Sequence, residues 1–426
     1  MKLNQQIEKF IQTGLLVIVA VMPFHAFLSV WLGHLFGHQA VIQGWKEALL
    51  LILAVAALAL LIREPARLQR LRQPWILAAL AFGAVALIVT ALTRPVAELA
   101  AFGAKTDLEF LLAGIIAATI ATRTLLVRLI TIILIGCAVV AGYDLLQIFV
   151  LPADFLTHFG YGPGTIVPYQ HIAIGTSALR FPSTLGGPNQ LGTYLIIPLC
   201  LSLALFTRQR RWWQLALFAA SLISLIWTFS RGAWIGAGVA IIITLIASLP
   251  ARLRRTATFA VAIVIAGSLL ALPIILTRDG QLQYLLLHAS VATHSQANLS
   301  DSQHAASLQD GYQALIARPF GHGLGTAGPA TFHIGPPHII EDYYLQVGYE
   351  TGLVGLGVFT AALGLLLMAL WRTSAAHALA IPLAAAIGGI CLVAIVLPAW
   401  ADSTTALIAW IAAGTAASVT PKARHV

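Results

Sequence analysis

Two arginines and a group of acids and imidazoles are the residues of this chain best suited to chemistry. Arg180 stands in LRFPSTLGGPNQLGTY, residues 179–194. Pro182, Gly186, Gly187 and Pro188 prevent a regular helix there, and turns of that kind leave backbone N–H groups open to an anion. Asn189 is placed to cap the helix that follows. Arg231 stands in WTFSRGAWIG, residues 227–236, a tight hairpin with apolar residues close on both sides. A cation so near hydrocarbon is costly, about 2.5–3.5 kcal/mol at the bilayer centre and less near the surface. A guanidinium kept there suits an anionic ligand such as a phosphate. The simpler reading is an arginine that snorkels to the headgroups. Gly232 and Gly236 are spaced to admit a close helix neighbour.

The second group lies in PPHIIEDYYLQVGYETGLVGLGVF, residues 336–359. His338, Glu341, Asp342 and Glu350 gather where a long apolar run begins. A helix starting near 338 sets His338 and Glu341 one turn apart on one face. Either suits general-base work at a membrane interface; Glu341 and Asp342 also suit the positive end of a helix. Tyr343 and Tyr344 fit an interfacial aromatic belt. Just upstream, PFGHGLGTAGPATF (319–332) carries His322 and sets Gly323, Gly325 and Gly328 in GxGxxG spacing. No strand precedes it and no βαβ unit surrounds it, which argues against a dinucleotide turn. It is a glycine-rich bend, either closing over a site or only turning the chain.

Metal chemistry finds little support. Six of the 13 histidines fall between 288 and 338, but none makes HxH, HxxxH or HExxH spacing, so no metal site is expected. Cys137, Cys200 and Cys391 lie in separate apolar runs and offer no CxxC pair.

The elements that must position these residues are membrane spans. Of 426 residues, 59% are hydrophobic and only 9% charged, against about 25% charged in a soluble domain. Apolar runs place spans near 11–32, 44–62, 75–92, 104–121, 125–150, 189–206, 212–229, 232–249, 256–276, 346–370, 379–398 and 403–419. No cleavable signal is evident before the first run. Seventeen of the 24 Lys and Arg residues fall on the short connections of one side, which assigns that side and both termini to the cytoplasm. The net charge of +9 is spread in these clusters, so it orients the chain and gives no reason to expect nucleic acid. The expectation is an all-α integral membrane protein, a single polytopic domain over 1–426 with about twelve transmembrane helices. Two long outer loops, 151–188 and 277–345, the larger partly helical, carry the polar chemistry.

In this order and spacing the motifs resemble the O-antigen ligase and O-antigen polymerase superfamily of bacterial membrane glycosyltransferases. The resemblance rests on Arg180, Ser183, Pro188 and Asn189 in an R-x-x-S-x4-P-N segment, on Ser230-Arg231-Gly232-Ala233, and on residues 318–355. It implies transfer of a glycan from undecaprenyl diphosphate to an acceptor hydroxyl at the outer face of the bacterial cytoplasmic membrane. No metal or other cofactor is implied, and the partners are the lipid-linked donor, a glycan or lipid-linked acceptor and membrane lipids. Breaking the sugar–diphosphate bond builds negative charge on the leaving group, which preorganised cations stabilise. In this reading Arg180 and Arg231 bind the diphosphate, Glu341 or His338 is the base, and Asn189, Asp342 and His322 give support. The family's ligases carry a His–Asn pair just before Tyr-Leu-Gln; here Glu341 and Asp342 occupy the matching positions. That departure leaves the base open between Glu341 and His338, and the reaction open between ligation and polymerisation. The competing reading is a membrane transporter or a lipid or polysaccharide flippase. It predicts charges at midplane, and Asp144 is the one acid well inside an expected span.

Overall fold

A computed structural model describes residues 2–172, 178–260, 294–334, 337–374 and 377–419. The expected ninth span, 256–276, lies outside the described residues from 261 onward, as do Arg278, His288 and the first part of the second long loop.

Helices dominate because a chain in hydrocarbon must satisfy each backbone N–H and C=O within its own segment. The described helices are α1 (Lys2–Val21), α2 (His25–Phe36), α3 (Gln39–Gln43), α4 (Trp45–Arg63), α5 (Leu68–Leu71), α6 (Pro74–Thr93), α7 (Ala97–Thr119) and α8 (Arg123–Phe149). They continue as α9 (Pro188–Gln209), α10 (Trp212–Trp227), α11 (Arg231–Ser248), α12 (His294–Ala317), α13 (Tyr343–Thr373), α14 (Ala380–Val393) and α15 (Ser403–Ser418). Residues 251–260 are also helical. A two-residue antiparallel ribbon, β1 (Gln170–His171) and β2 (Leu179–Arg180), pairs Gln170 with Arg180.

Seven helical segments among the described residues are long and apolar enough to cross a membrane, with α1 and α2 counted as one. Elsewhere length and charge decide the difference from the run count. Helices α10, α14 and α15 have 16, 14 and 16 residues, short of the ~20 that a straight crossing needs. Helix α7 is long enough but holds Lys105, Asp107 and Glu109. Two runs are broken. The first bends through a 3-10 turn, Met22–Phe24, at Pro23, which lacks the N–H that a continuous helix uses. Helix α13 breaks at Gly352, with φ +74° and ψ −178°, a conformation glycine adopts without steric cost.

Helix α15 forms the centre, buried from Thr404 to Ser418. Small residues let neighbouring backbones close in, since packing rather than hydrophobic exclusion joins helices in lipid. Gly414 of α15 lies against Gly114 of α7, and Gly236 of α11 against Gly389 of α14. Around them Phe110, Phe359, Trp400 and Trp410 form a continuous aromatic cluster.

Candidate functional site

The arginine end is built on the break in the first span. Thr184 donates its hydroxyl to the Pro23 carbonyl at 2.7 Å, and its own carbonyl accepts the Phe27 N–H at 3.3 Å. Ser183 donates to the Val140 carbonyl at 2.8 Å. Residues 181–185 are thereby buried between α1, α2 and α8, and Arg180 is held at the rim. Its Nε donates to the Thr228 carbonyl and its Nη2 to Asn189 Oδ1, each at 2.7 Å. Thr228 follows α10, and Arg231 opens α11 three residues later. The two arginines, about fifty residues apart in sequence, thus meet at one hairpin. Burial, with Arg231 adding its charge, pulls the Arg180 guanidinium down to about 10. Both hydrogen-bond acceptors of Arg180 are neutral oxygens, so they orient the cation without cancelling its charge.

Asn189 is not the helix cap. Gly187 takes that position without a side-chain bond, and Pro188 is the first helical residue. Proline suits that position because its missing N–H would have no helical partner there. The Asn189 side chain is released to orient Arg180.

At the other end, Asp342 caps α13 by accepting the Leu345 N–H at 2.9 Å. Its burial holds that carboxyl above the usual carboxylate range. The helix therefore starts at Tyr343 rather than near 338. His338 and Glu341 lie in the irregular segment before it and share no helical face. Each is pinned to a different element. The His338 backbone accepts from Gly328 N–H and donates to Thr331 Oγ1, both at 2.9 Å, which ties it to the glycine bend. The Glu341 N–H donates to Ser307 of α12 at 3.2 Å. The expected interfacial belt is also absent here. Tyr343 is fully buried and donates to Asp107 Oδ1 at 2.8 Å, while Tyr344 donates to the Cys391 carbonyl at 3.0 Å. Hydroxyls with protein partners have no need of the headgroup layer.

His338 and His322 both lie against Tyr349. The His322 ring stacks on it at 3.9 Å and 5°, with Nδ1 3.0 Å from the Tyr349 carbonyl; the His338 ring approaches at 4.8 Å. His338 Nε2 is buried and has no hydrogen-bond partner among the described residues. Burial lowers the His322 pKa, and the charges of Arg318 and His338 lower it further.

Sequence reasoning missed the use made of the GxGxxG bend. Gly323, Gly325 and Gly328 all have positive φ, and the bend they make turns two N–H groups toward the chain's own Glu350 carboxyl. Ala327 N–H reaches Glu350 Oε1 at 3.2 Å, and Gly325 N–H adds a second bond. The Asp107 carboxyl adjoins Glu350, so a hydrogen bond between them needs one shared proton. Gly325 also packs on the backbone of Gly103 and Leu99 in α7. The available signal was the presence of acids inside apolar helices, Asp107 in α7 and Glu350 in α13, which calls for named partners.

The two ends flank one short segment, residues 393–397. Gly232, beside Arg231, packs against Val396 and Leu397. One residue past Asp342, the Tyr343 N–H donates to the Ala394 carbonyl at 2.9 Å. No group of three or more His, Cys, Asp or Glu placed to hold a metal ion occurs among the described residues.

Comparison with known families agrees with the resemblance read from the motifs. Residues 215–360 match the family model described as O-antigen ligase, which supports the O-antigen ligase and polymerase superfamily. The match spans Arg231, His322, His338, Glu341 and Asp342 and stops short of Arg180 and Asn189. No curated protein matches the chain.

Proposed function

We propose that this O-antigen ligase-like membrane protein transfers a glycan from undecaprenyl diphosphate to an acceptor hydroxyl at the outer face of the bacterial cytoplasmic membrane. The observation that carries the reading is the convergence of Arg180 and Arg231 at the α10–α11 hairpin. Two guanidiniums at one hairpin, with Arg180 oriented by neutral acceptors, suit a ligand with at least two negative charges. A diphosphate meets that description, and its charge grows as the sugar bond breaks. Preorganised donors stabilise the growing charge without reorganising during the reaction. Asn189 positions Arg180 for this role. On the far side of segment 393–397, His338 or Glu341 takes the acceptor proton. The unpartnered Nε2 of His338 favours the imidazole by chemistry, and family register favours Glu341.

Two of the buried acids, Asp107 and Glu350, lie inside helices and face each other and the glycine bend, an arrangement that suits structure better than transport.

The test is reconstitution of the purified protein in vesicles with a polyprenyl-diphosphate-linked glycan and an acceptor glycan or lipid. The expected result is transfer that is lost in Arg180→Ala and Arg231→Ala proteins that remain folded. Transfer that persists in both variants would overturn the proposal.

A further inference from the structure

Away from the arginine hairpin, at the other end of α9, a cavity of about 1070 Å³ opens between α8, α9 and α10. Its ends differ in chemistry. One holds Arg123, Arg208 and His377, with no acidic side chain among the described residues that line it. Both arginines act on the buried His377, lowering its pKa after the larger effect of burial, so all three groups share one neighbourhood. Helices α8 and α10 both begin here, which turns two positive helix ends toward the same space. From Arg123 the cavity follows α8 past Leu134 to Gly142, along apolar walls, for ~28 Å of helix, room enough for an extended acyl chain.

A second feature points to a ligand. Gln214 lines the cavity and is fully buried. Its Nε2 donates to Gln209 at 2.8 Å, while Oε1 has no partner. An unmet amide oxygen beside two arginines and two helix N-termini asks for a molecule that is anionic and also carries a hydrogen-bond donor. Trp212 and Trp213 flank it, 80% and 38% exposed, as aromatic residues do at the headgroup level.

We propose that this cavity is a specific site for an anionic glycerophospholipid of the cytoplasmic leaflet. Its phosphodiester lies between Arg123 and Arg208, a headgroup hydroxyl donates to Gln214 Oε1, and one acyl chain follows α8. A phosphatidylglycerol has these groups; a phosphatidylcholine lacks both the net charge and the hydroxyl. The leaflet is the one that the Lys and Arg distribution assigns to the cytoplasm, and the site stands apart from the glycan chemistry.

The experiment is native mass spectrometry of the full chain, released from micelles after titration with phosphatidylglycerol or phosphatidylcholine. The expected result is one retained phosphatidylglycerol. The double variant Arg123→Gln, Arg208→Gln is expected to weaken retention by about tenfold or more. The control Arg252→Gln, Arg254→Gln, Arg255→Gln removes as exposed a basic cluster elsewhere and is expected to change nothing. Ala138→Phe fills the apolar part with both arginines in place and is expected to weaken retention as well. That variant decides the matter if the arginine pair proves necessary for folding. Equal retention of the two lipids, equal loss in the control, or preference for a polyprenyl phosphate would overturn the assignment.

Discussion

Arg180 and Glu350 are both ionisable groups set among apolar residues, and the protein treats them in opposite ways. Glu350 receives two N–H donors from the glycine bend and has the Asp107 carboxyl beside it, with Tyr343 bound to Asp107 in turn. Arg180 receives two neutral oxygens and has a second cation nearby. A buried charge without compensation is destabilising; the first arrangement compensates its charge within the fold, and the second leaves it without an acidic neighbour among the described residues. Burial is common to both, and the sign of the neighbours is what separates them.

That contrast can be broken by substitution. The largest effect is expected at the arginines. Arg180→Ala should lower glycan transfer by on the order of 10²–10³, the usual cost of losing one preorganised donor. Arg180→Lys should recover only part, because a point charge cannot serve Thr228, Asn189 and an anion in one plane. Full activity in the lysine variant, measured by product formation in vesicles, would show that charge alone suffices.

Next come the candidate bases. Glu341→Gln and His338→Ala, assayed side by side, should separate one residue whose loss nearly abolishes transfer from one whose loss does not. A carboxylate that only complements a helix end contributes about 0.3–1 kcal/mol to stability and leaves turnover intact. Retained turnover in both variants would remove this segment from the chemistry.

Asn189→Ala should cost about tenfold in transfer, the worth of one hydrogen bond to a charged group, and less than Arg180→Ala. An effect as large as that of the arginine itself would mean that Asn189 touches substrate.

Glu350→Ala should act on stability instead. Leaving the Ala327 and Gly325 N–H groups and Asp107 without their partner costs about 1–3 kcal/mol, read as a lower unfolding temperature. Transfer per folded molecule should fall by less than tenfold. A total loss of transfer at unchanged stability would move Glu350 from the structural side of the comparison to the catalytic one.

The smallest effect concerns His322. Its folded pKa lies below the ordinary 6.5, so the unfolded bend binds the proton better. The stability that this group contributes is complete above about 6.5 and declines as pH falls through that value. Protection factors of residues 319–328, after correction for the intrinsic rate, should therefore fall below neutrality. Protection that rises on acidification would reverse the sign.

Much of the arginine end was legible in the chain. A cation bounded by apolar runs is visible in one dimension, and so is the glycine–proline break that carries Arg180. The acid end was harder to read. His338 and Glu341 are three residues apart, and helical spacing put them on one face; Asp342 begins the helix one residue after them instead. Tyr343 followed an interfacial pattern and is buried on Asp107, a contact 236 residues distant.

By itself, then, the sequence determined that this is a helical membrane protein, which side its basic connections favour, and that Arg231 stands where a cation is costly. Those properties follow from local composition, since hydrocarbon tests each segment one at a time. Tertiary structure alone decided that Arg180 meets the hairpin of Arg231, and that Asn189 orients an arginine rather than capping a helix. It also decided that the glycine bend holds Glu350. Each of these depends on which distant segment supplies the partner for a polar group. In a low-dielectric interior that partner determines whether the group completes the fold or waits for a substrate.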